Sequence, residues 1–297
     1  MNGFTLLLGG ETVSVCGMNA EPAMSRSLEP FVCRCCDDAH LSCKKGQGGK
    51  TIEMVTKINS FTGGEEVSNF ASPDLGSVCL LSAHDNTLQL CVHSSVGTTT
   101  VLQHRMGSEK VYVEQGADVA VTRLAMWFGV SMLLAPCTLA FIHASTVVVD
   151  GKAVIFLGES GTGKSTHARL WLKNIAGAEL LNDDSPMLRC MDSSVEVYGT
   201  PWSGKTACYR NLHYPLAGVV RLRQSPQNNI KKLGTLQAFG AVAPSLPPQL
   251  MNHPYYENFF VDIVNRVICS SPVYMLDCRA DDDAALLCHN TVMSAGL

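Results

Sequence analysis

The sequence predicts a mixed α/β protein, with a smaller β-rich N-terminal region over residues 1–116 and a mixed-sheet α/β domain over residues 117–297. Three observations carry that expectation. Short segments rich in β-forming residues, punctuated by Gly, Ser, Asn and Asp, dominate the N-terminal part. From Thr146 onward, apolar strand-like runs alternate with helical patterns. Among the latter stands one glycine-rich octapeptide, Gly158–Ser165, with a strand-like run before it and a helix-like run after it.

Composition sets the outer limits. A chain of 297 residues with 46% hydrophobic and 16% charged residues can bury a large core, which excludes a disordered or fibrous protein. At roughly 150 residues per domain it holds two domains or one large one. The net charge is −4, from 22 basic and 26 acidic residues, with no long run of either sign. The basic footprint of a nucleic-acid groove and the polybasic patch of a membrane-surface protein are both missing, so neither partner is expected. Most of the 13 cysteines stand alone in apolar runs (Cys79, Cys91, Cys137, Cys269, Cys288), where a reduced thiol acts as a small buried hydrophobe. The start, Met1-Asn2-Gly3-Phe4, lacks a basic region, and its apolar stretch ends after Leu8, so no secretory signal is expected. A reducing, cytoplasmic location fits best.

In the N-terminal region, Val78–Leu81, Leu88–Val92, Thr99–Leu102 and Val111–Val113 read as strands, and Lys44–Lys50 as a flexible connection. Cys33, Cys35, Cys36, His40 and Cys43 form a dense cluster. Their spacing lacks the paired knuckles from which four zinc ligands converge, so a loop with incidental thiols is expected there and no metal. Leu124–Ile142 is uncharged and long enough to span a bilayer, but Gly129 and Pro136 interrupt it. Pro136 should end a helix near Ala135, leaving a buried helix from Asp118 to Leu134 and a short strand lead-in.

The second region is more legible. Thr146–Val149 and Ala153–Leu157 flank Asp150-Gly151, a favoured type I′ hairpin turn. That turn puts Val149 opposite Lys152 and, by extension, His143 opposite Gly158. A helix follows over Ser165–Ile175, then a strand, Ala178–Leu181, running into Asn182, Asp183 and Asp184. Strands Glu196–Tyr198 and Ala217–Leu222, a helix over Tyr255–Ile268, strand Val273–Leu276 and a helix from Asp282 complete the pattern.

The octapeptide Gly158-Glu159-Ser160-Gly161-Thr162-Gly163-Lys164-Ser165 matches G-x4-G-K-[ST] in full. Its glycines let the backbone curl so that N–H groups converge on an anion, and the following helix adds the positive end of its dipole. Lys164 is suited to reach the outer phosphates and Ser165 to ligate Mg2+, with Thr166 completing the cofactor-binding set. Asp183 and Asp184 form the second element. Neighbouring strand residues face opposite ways, so both serve one site only if the strand ends there, as Ser185-Pro186 suggests. One carboxylate would then hold Mg2+ and the other accept a proton from an attacking hydroxyl. His143 is the third element, an imidazole able to tune the base or stabilise charge.

Taken together, Ile142-His143, Val149-Asp150-Gly151, the octapeptide and Asn182-Asp183-Asp184 resemble the catalytic domain of HPr kinase/phosphorylase, whose architecture is shared with phosphoenolpyruvate carboxykinase. The resemblance covers Phe141 to Asp184. It implies an ATP- and Mg2+-dependent phosphotransferase with Asp183 as the base toward a serine hydroxyl. Asp184 would pair with His143 or support the metal together with Ser165, and Lys164 would hold phosphate. The chain departs from the family where Glu196-Val197-Tyr198-Gly199 replaces a Glu-x-Arg-Gly signature, and Lys205 and Arg210 then become candidates for clamping a phosphate or acidic substrate. The N-terminal region does not match the family's regulatory domain. The expected partners are a nucleotide and a hydroxyl-bearing protein or small molecule, with self-association into a homo-oligomer admitted. Three alternatives stand beside the kinase reading: a non-catalytic nucleotide-binding module, a carboxykinase-like enzyme and a plain NTP hydrolase. The residues leave open the acceptor, the choice among ATP, GTP and pyrophosphate, and the reverse phosphorolytic reaction.

Overall fold

The computed structural model describes residues 3–17, 26–33, 49–59, 61, 65–72, 77–94, 97–116, 118–204 and 206–294, without the side chains of residues 67–81. These fall into two compact units, Met1–Cys137 with Gln249–Glu257, and Thr138–Pro248 with Asn258–Leu297.

The first unit is built on an eight-stranded mixed sheet. Its strands are β1 (Gly3–Leu8), β2 (Glu11–Cys16), β3 (Thr51–Val55), β4 (Glu65–Ser72), β5 (Ser77–His84), β6 (Thr87–Ser94), β7 (Thr99–Arg105) and β8 (Lys110–Glu114). They lie in the order β1-β2-β3-β8-β7-β6-β5-β4. β3 is parallel to both its neighbours and the remaining pairs are antiparallel. The strands alternate as a half-buried sheet requires: Val13 and Val15, Ile52 and Met54, and Val111 and Val113 are buried, while Tyr112 faces out.

The helix Val119–Leu134 packs on β3, β6, β7 and β8. Asp118 caps it, its side chain accepting the N–H groups of Ala120 and Val121. A 3-10 turn, Ala135–Cys137, ends it at Pro136. Gly129 sits at the closest approach to the sheet, where an added Cβ would stand 3.2 Å from Val111 and 3.4 Å from Leu102. The glycine that interrupts the apolar run is therefore a packing position. Over Val119–Cys137 this helix is long and apolar enough to cross a membrane, but 67% of that window is buried inside the protein. Its packing also corrects the expected boundary at 116/117. The helix covers the N-terminal sheet, so the first unit continues through Cys137.

The second unit carries a nine-stranded mixed sheet. β9 (Leu139–Phe141), β13 (Met187–Cys190), β14 (Val195–Tyr198) and the first residues of β15 (His213–Gln224) pair antiparallel. From Leu216 onward β15 runs parallel to β11 (Lys152–Leu157) and then to β17 (Val273–Cys278). β10 (Ala144–Val149) is antiparallel to β11 and to β12 (Glu179–Asp184), and β16 (Asn229–Lys232) is antiparallel to β17. The Asp150-Gly151 turn has both residues at positive φ, 50° and 71°, as type I′ requires.

The helix Lys164–Asn174 packs on β10, β11 and the C-terminal helix Asp282–Ser294. Trp171, fully buried, joins Val147, Phe156, Val220, Leu276 and Cys288 in one core. Helix Thr235–Val242 and the part of helix Pro254–Ser270 from Asn258 onward complete the unit's longer helices among the described residues.

The cysteines divide. Cys91 and Cys288 are buried as expected, whereas Cys269 is exposed, off the helix face that buries Ile263, Val264 and Val267. Of the N-terminal cysteine cluster, Cys35, Cys36, His40 and Cys43 lie outside the described residues. Cys33 is disulfide-bonded, not the free thiol expected in that loop.

Candidate active site

β11 delivers the chain into Gly158–Gly163, and the helix takes over at Lys164. Gly163, the N-terminal cap, is held at φ 108°, a left-handed conformation that a side chain would strain. The loop is braced by Thr162, whose N–H and hydroxyl both donate to the Glu159 carbonyl, at 3.1 and 2.6 Å. Lys164 folds back across it and is only 8% exposed, its Nζ donating to the carbonyls of Gly158 (2.9 Å) and Glu159 (3.2 Å). Burial lowers the pKa of this ammonium. The charges of Asp184 and Asp183 pull it back up, and that of Arg221 lowers it further.

The two aspartates meet this loop from β12. Asp183 is 5% exposed, and its Oδ1 accepts hydrogen bonds from Ser165 Oγ at 2.8 Å and from the buried Ser145 Oγ on β10. Its carbonyl accepts the N–H of Gly204 at 2.6 Å and the Ser203 hydroxyl at 3.2 Å. Asp184 ends the strand at φ 137°, a region that L-residues rarely adopt and that costs about 1–3 kcal/mol. Its side chain is 43% exposed, with Oδ1 3.2 Å from His143 Nδ1.

The hairpin register runs as the turn dictates from Val149–Lys152 to Ser145–Phe156, then stops short of His143. The His143 N–H instead donates to the Ser245 carbonyl at 2.7 Å, and its ring turns to Asp184. The loop, Lys164, Ser165, Asp183, Asp184 and His143 thus form one connected chain of contacts.

Asn182, fully buried, sets the end of β12. Its amide donates to the Trp202 carbonyl at 3.0 Å, and its Oδ1 accepts the Ser185 N–H at 2.9 Å. Thr200 adds a bond from its hydroxyl to the Ser185 carbonyl at 2.7 Å. This buried network turns the chain out of the strand at the point where the two carboxylates must diverge.

Arg210, one of the two candidates for a substrate clamp, is engaged by other groups. Arg210 binds the Glu179 carboxylate at 2.6 Å and the Leu180 carbonyl at 2.8 Å, near the start of β12 and away from its carboxyl end. An arginine engaged in this way braces the start of the strand. Lys205 lies outside the described residues. Glu196, on β14, accepts the Tyr198 hydroxyl at 2.8 Å, beneath the stacked ring of His213.

One cation escaped the sequence reading. Arg221, on β15 beside Leu157, donates to the Ala241 carbonyl at 2.9 Å, and no carboxylate pairs with it among the described residues. A lone arginine inside the apolar run Ala217–Leu222, near the end of a strand beside the loop, was the available signal.

Two mixed sheets with helices, and a glycine loop opening onto paired acids, make this a mixed α/β protein consistent with an α/β nucleotide-binding fold. Among solved structures it is similar to the Hpr(Ser) kinase/phosphatase from Coxiella burnetii, at 13% identity and a TM-score of 0.31, over 52% of this chain and 95% of that one. The likeness is distant. No protein-family model matches the chain. No curated protein matches it.

Proposed function

We propose that this chain is an ATP- and Mg2+-dependent phosphotransferase of the HPr-kinase-like kind, moving the terminal phosphate to a hydroxyl of a protein or small molecule. The observation that carries the reading is the 2.8 Å bond from Ser165 Oγ to Asp183 Oδ1, which ties the end of the loop to the carboxylate pair. In this reading the loop amides and Lys164 hold the polyphosphate, with Arg221 adding positive charge.

Ser165 Oγ and Asp183 Oδ1 are hard oxygen donors and fit Mg2+, which commonly takes one or two carboxylates and fills its remaining positions with phosphate and water. When bound there, the metal would neutralise charge on the transferred phosphate.

The reading exchanges the roles that the resemblance implied for the two acids. Asp183 is buried and already accepts two hydroxyl donors, which suits it to the metal side. Asp184 is open to an acceptor and touches His143, which suits it to take the acceptor's proton while His143 holds it in place.

The test incubates the full chain with Mg2+, γ-labelled ATP and fractionated hydroxyl-bearing acceptors. Lys164→Ala should transfer no label. Asp184→Asn should still bind Mg-ATP while losing transfer by about 10²–10⁴-fold, and Asp183→Asn should lose the Mg2+-dependent part of nucleotide affinity. Wild-type transfer by Asp184→Asn would overturn the base assignment. Tight ATP binding with no labelled acceptor would favour a non-catalytic nucleotide module.

A further inference from the structure

We infer that Arg221 is a catalytic residue whose guanidinium acts on the phosphoryl group in transit, from the side of the loop opposite the carboxylates; this rests on the reading that the loop holds a polyphosphate and Asp184 faces the acceptor. The sheet places it there. The loop is carried by β11, with β10 and then β12 on one side and β15 on the other. Asp184, the last residue of β12, pairs with Ala144, next to the Ser145 that pairs with Phe156. Leu157, the residue after Phe156, pairs with Arg221. Asp184 and Arg221 therefore lie at one level of the sheet, three strand spacings or roughly 14 Å apart at their Cα atoms. That level is one residue short of Gly158, where the loop begins.

Both are tied to one further run of chain. Val220 and Leu222, on either side of Arg221, join the core beneath the Lys164–Asn174 helix, so Arg221 projects from the other face. There it donates to the Ala241 carbonyl at 2.9 Å. His143, whose ring meets Asp184, gives its N–H to the Ser245 carbonyl at 2.7 Å. Ala241 and Ser245 belong to the helix Thr235–Val242 and the 3-10 turn Ala243–Ser245 that continues it. One short run thus anchors the arginine and the partner of the base, on the two flanks of the loop's strand.

Arg221 is also a charge without a counter-ion. In this unit Arg210, Arg223, Arg266 and Arg279 each hold a carboxylate. Half-buried Arg221 bonds only the Ala241 carbonyl among the described residues, although a guanidinium carries five N–H donors. Lys164, which crosses the loop, feels it together with both acids: burial lowers the lysine pKa most, Asp184 and Asp183 raise it, and Arg221 lowers it again. A half-buried cation left in this state calls for an anion from a ligand.

In phosphoryl transfer the attacking and leaving oxygens stand in line on opposite sides of phosphorus. The acceptor hydroxyl gives its proton to Asp184 as its oxygen bonds to the terminal phosphorus. The bond from that phosphorus to the bridging oxygen breaks, and its electron pair stays on the departing diphosphate. Arg221, across from Asp184, is on the side where that charge gathers. Its N–H groups donate to the oxygens there while it keeps all its protons.

The test needs no identified acceptor, because Mg-ADP with aluminium fluoride imitates the phosphoryl group in transit with water in the acceptor's place. The wild type should bind that complex about 10²-fold or more tightly than Mg-ATP. Arg221→Ala should forfeit most of that advantage while losing far less affinity for Mg-ATP, and added guanidinium ion should restore part of it. Arg221→Lys, which keeps the charge and a long stem, should also fall short, because an ammonium lacks the planar fork. Equal losses for the analogue and for Mg-ATP would make Arg221 a holder of bound nucleotide, and an advantage kept in full by either variant would remove the guanidinium from the reaction. Both results overturn the inference and leave the loop reading standing, as does a wild type that gains nothing from aluminium fluoride. If the wild type does not bind Mg-ATP, both readings fall together.

Discussion

Asp183 and Asp184 are adjacent in sequence and chemically identical, yet the fold gives them different surroundings, one buried under two hydroxyl donors and one half-open beside an imidazole. Asn182 makes that division possible. Asn182→Ala removes a fully buried amide and strands the Ser185 N–H, a loss of about 1–3 kcal/mol; thermal unfolding should show a clear drop in Tm, and an unchanged Tm would mean the network does not hold the turn. His167 supplies a pH dependence with a definite sign. Its pKa lies at the ordinary 6.5 in the unfolded chain and about 4 in the folded one. Between those values only the unfolded state takes up the proton, so stability is lost as pH falls through the window, by at most about 1.4 kcal/mol per pH unit. Melting from pH 7.5 to 4.5 should therefore fall less steeply for His167→Phe than for the wild type, and parallel slopes would contradict the assignment. At this scale the contact of the octapeptide with Asp183, and of Asp184 with His143, involves residues that the sequence already singles out as candidates, because residue types at short spacing mark them. Asn182, Arg221 and His167 were not singled out, since what matters is the bond each makes to residues distant in sequence. For the same reason the charge of Arg210 is visible in the sequence, but its engagement by Glu179 is not.

The elements that hold the site were read with little error where local rules decide them. The Asp150-Gly151 turn set the hairpin register, and strand, loop and helix followed in the expected order. The pieces overlooked were β1 to β4, β13, β16 and the helix Thr235–Val242. Several of these are stabilised by pairing with strands far along the chain, as β3 is by β2 and β8, so their own residues carry a weak signal. Gly129 shows how one residue serves an element. Gly129→Leu should force the helix off Val111 and Leu102 and cost about 1–3 kcal/mol, read as a lower denaturation midpoint; full stability would mean that the helix packs differently. In the second unit, Trp171→Ala should cost about 3–5 kcal/mol, because Trp171 joins the loop's helix to the core.

At the scale of the whole chain, there are two compact units of comparable size, and the candidate chemistry lies wholly in the second. The boundary was misplaced because the apolar helix Val119–Leu134 looks, in sequence, as much a beginning as an end; only its packing on β7 and β8 assigns it to the N-terminal sheet. Ligand that binds only the folded state adds stability in proportion to the logarithm of its concentration over Kd. The most direct measurement is a calorimetric titration of Mg-ATP into the 297-residue chain and into its Lys164→Ala variant. Saturable binding by the wild type, lost in the variant while its unliganded Tm stays near the wild-type value, is the predicted result. Equal binding by both proteins, or none by the wild type, would contradict the account.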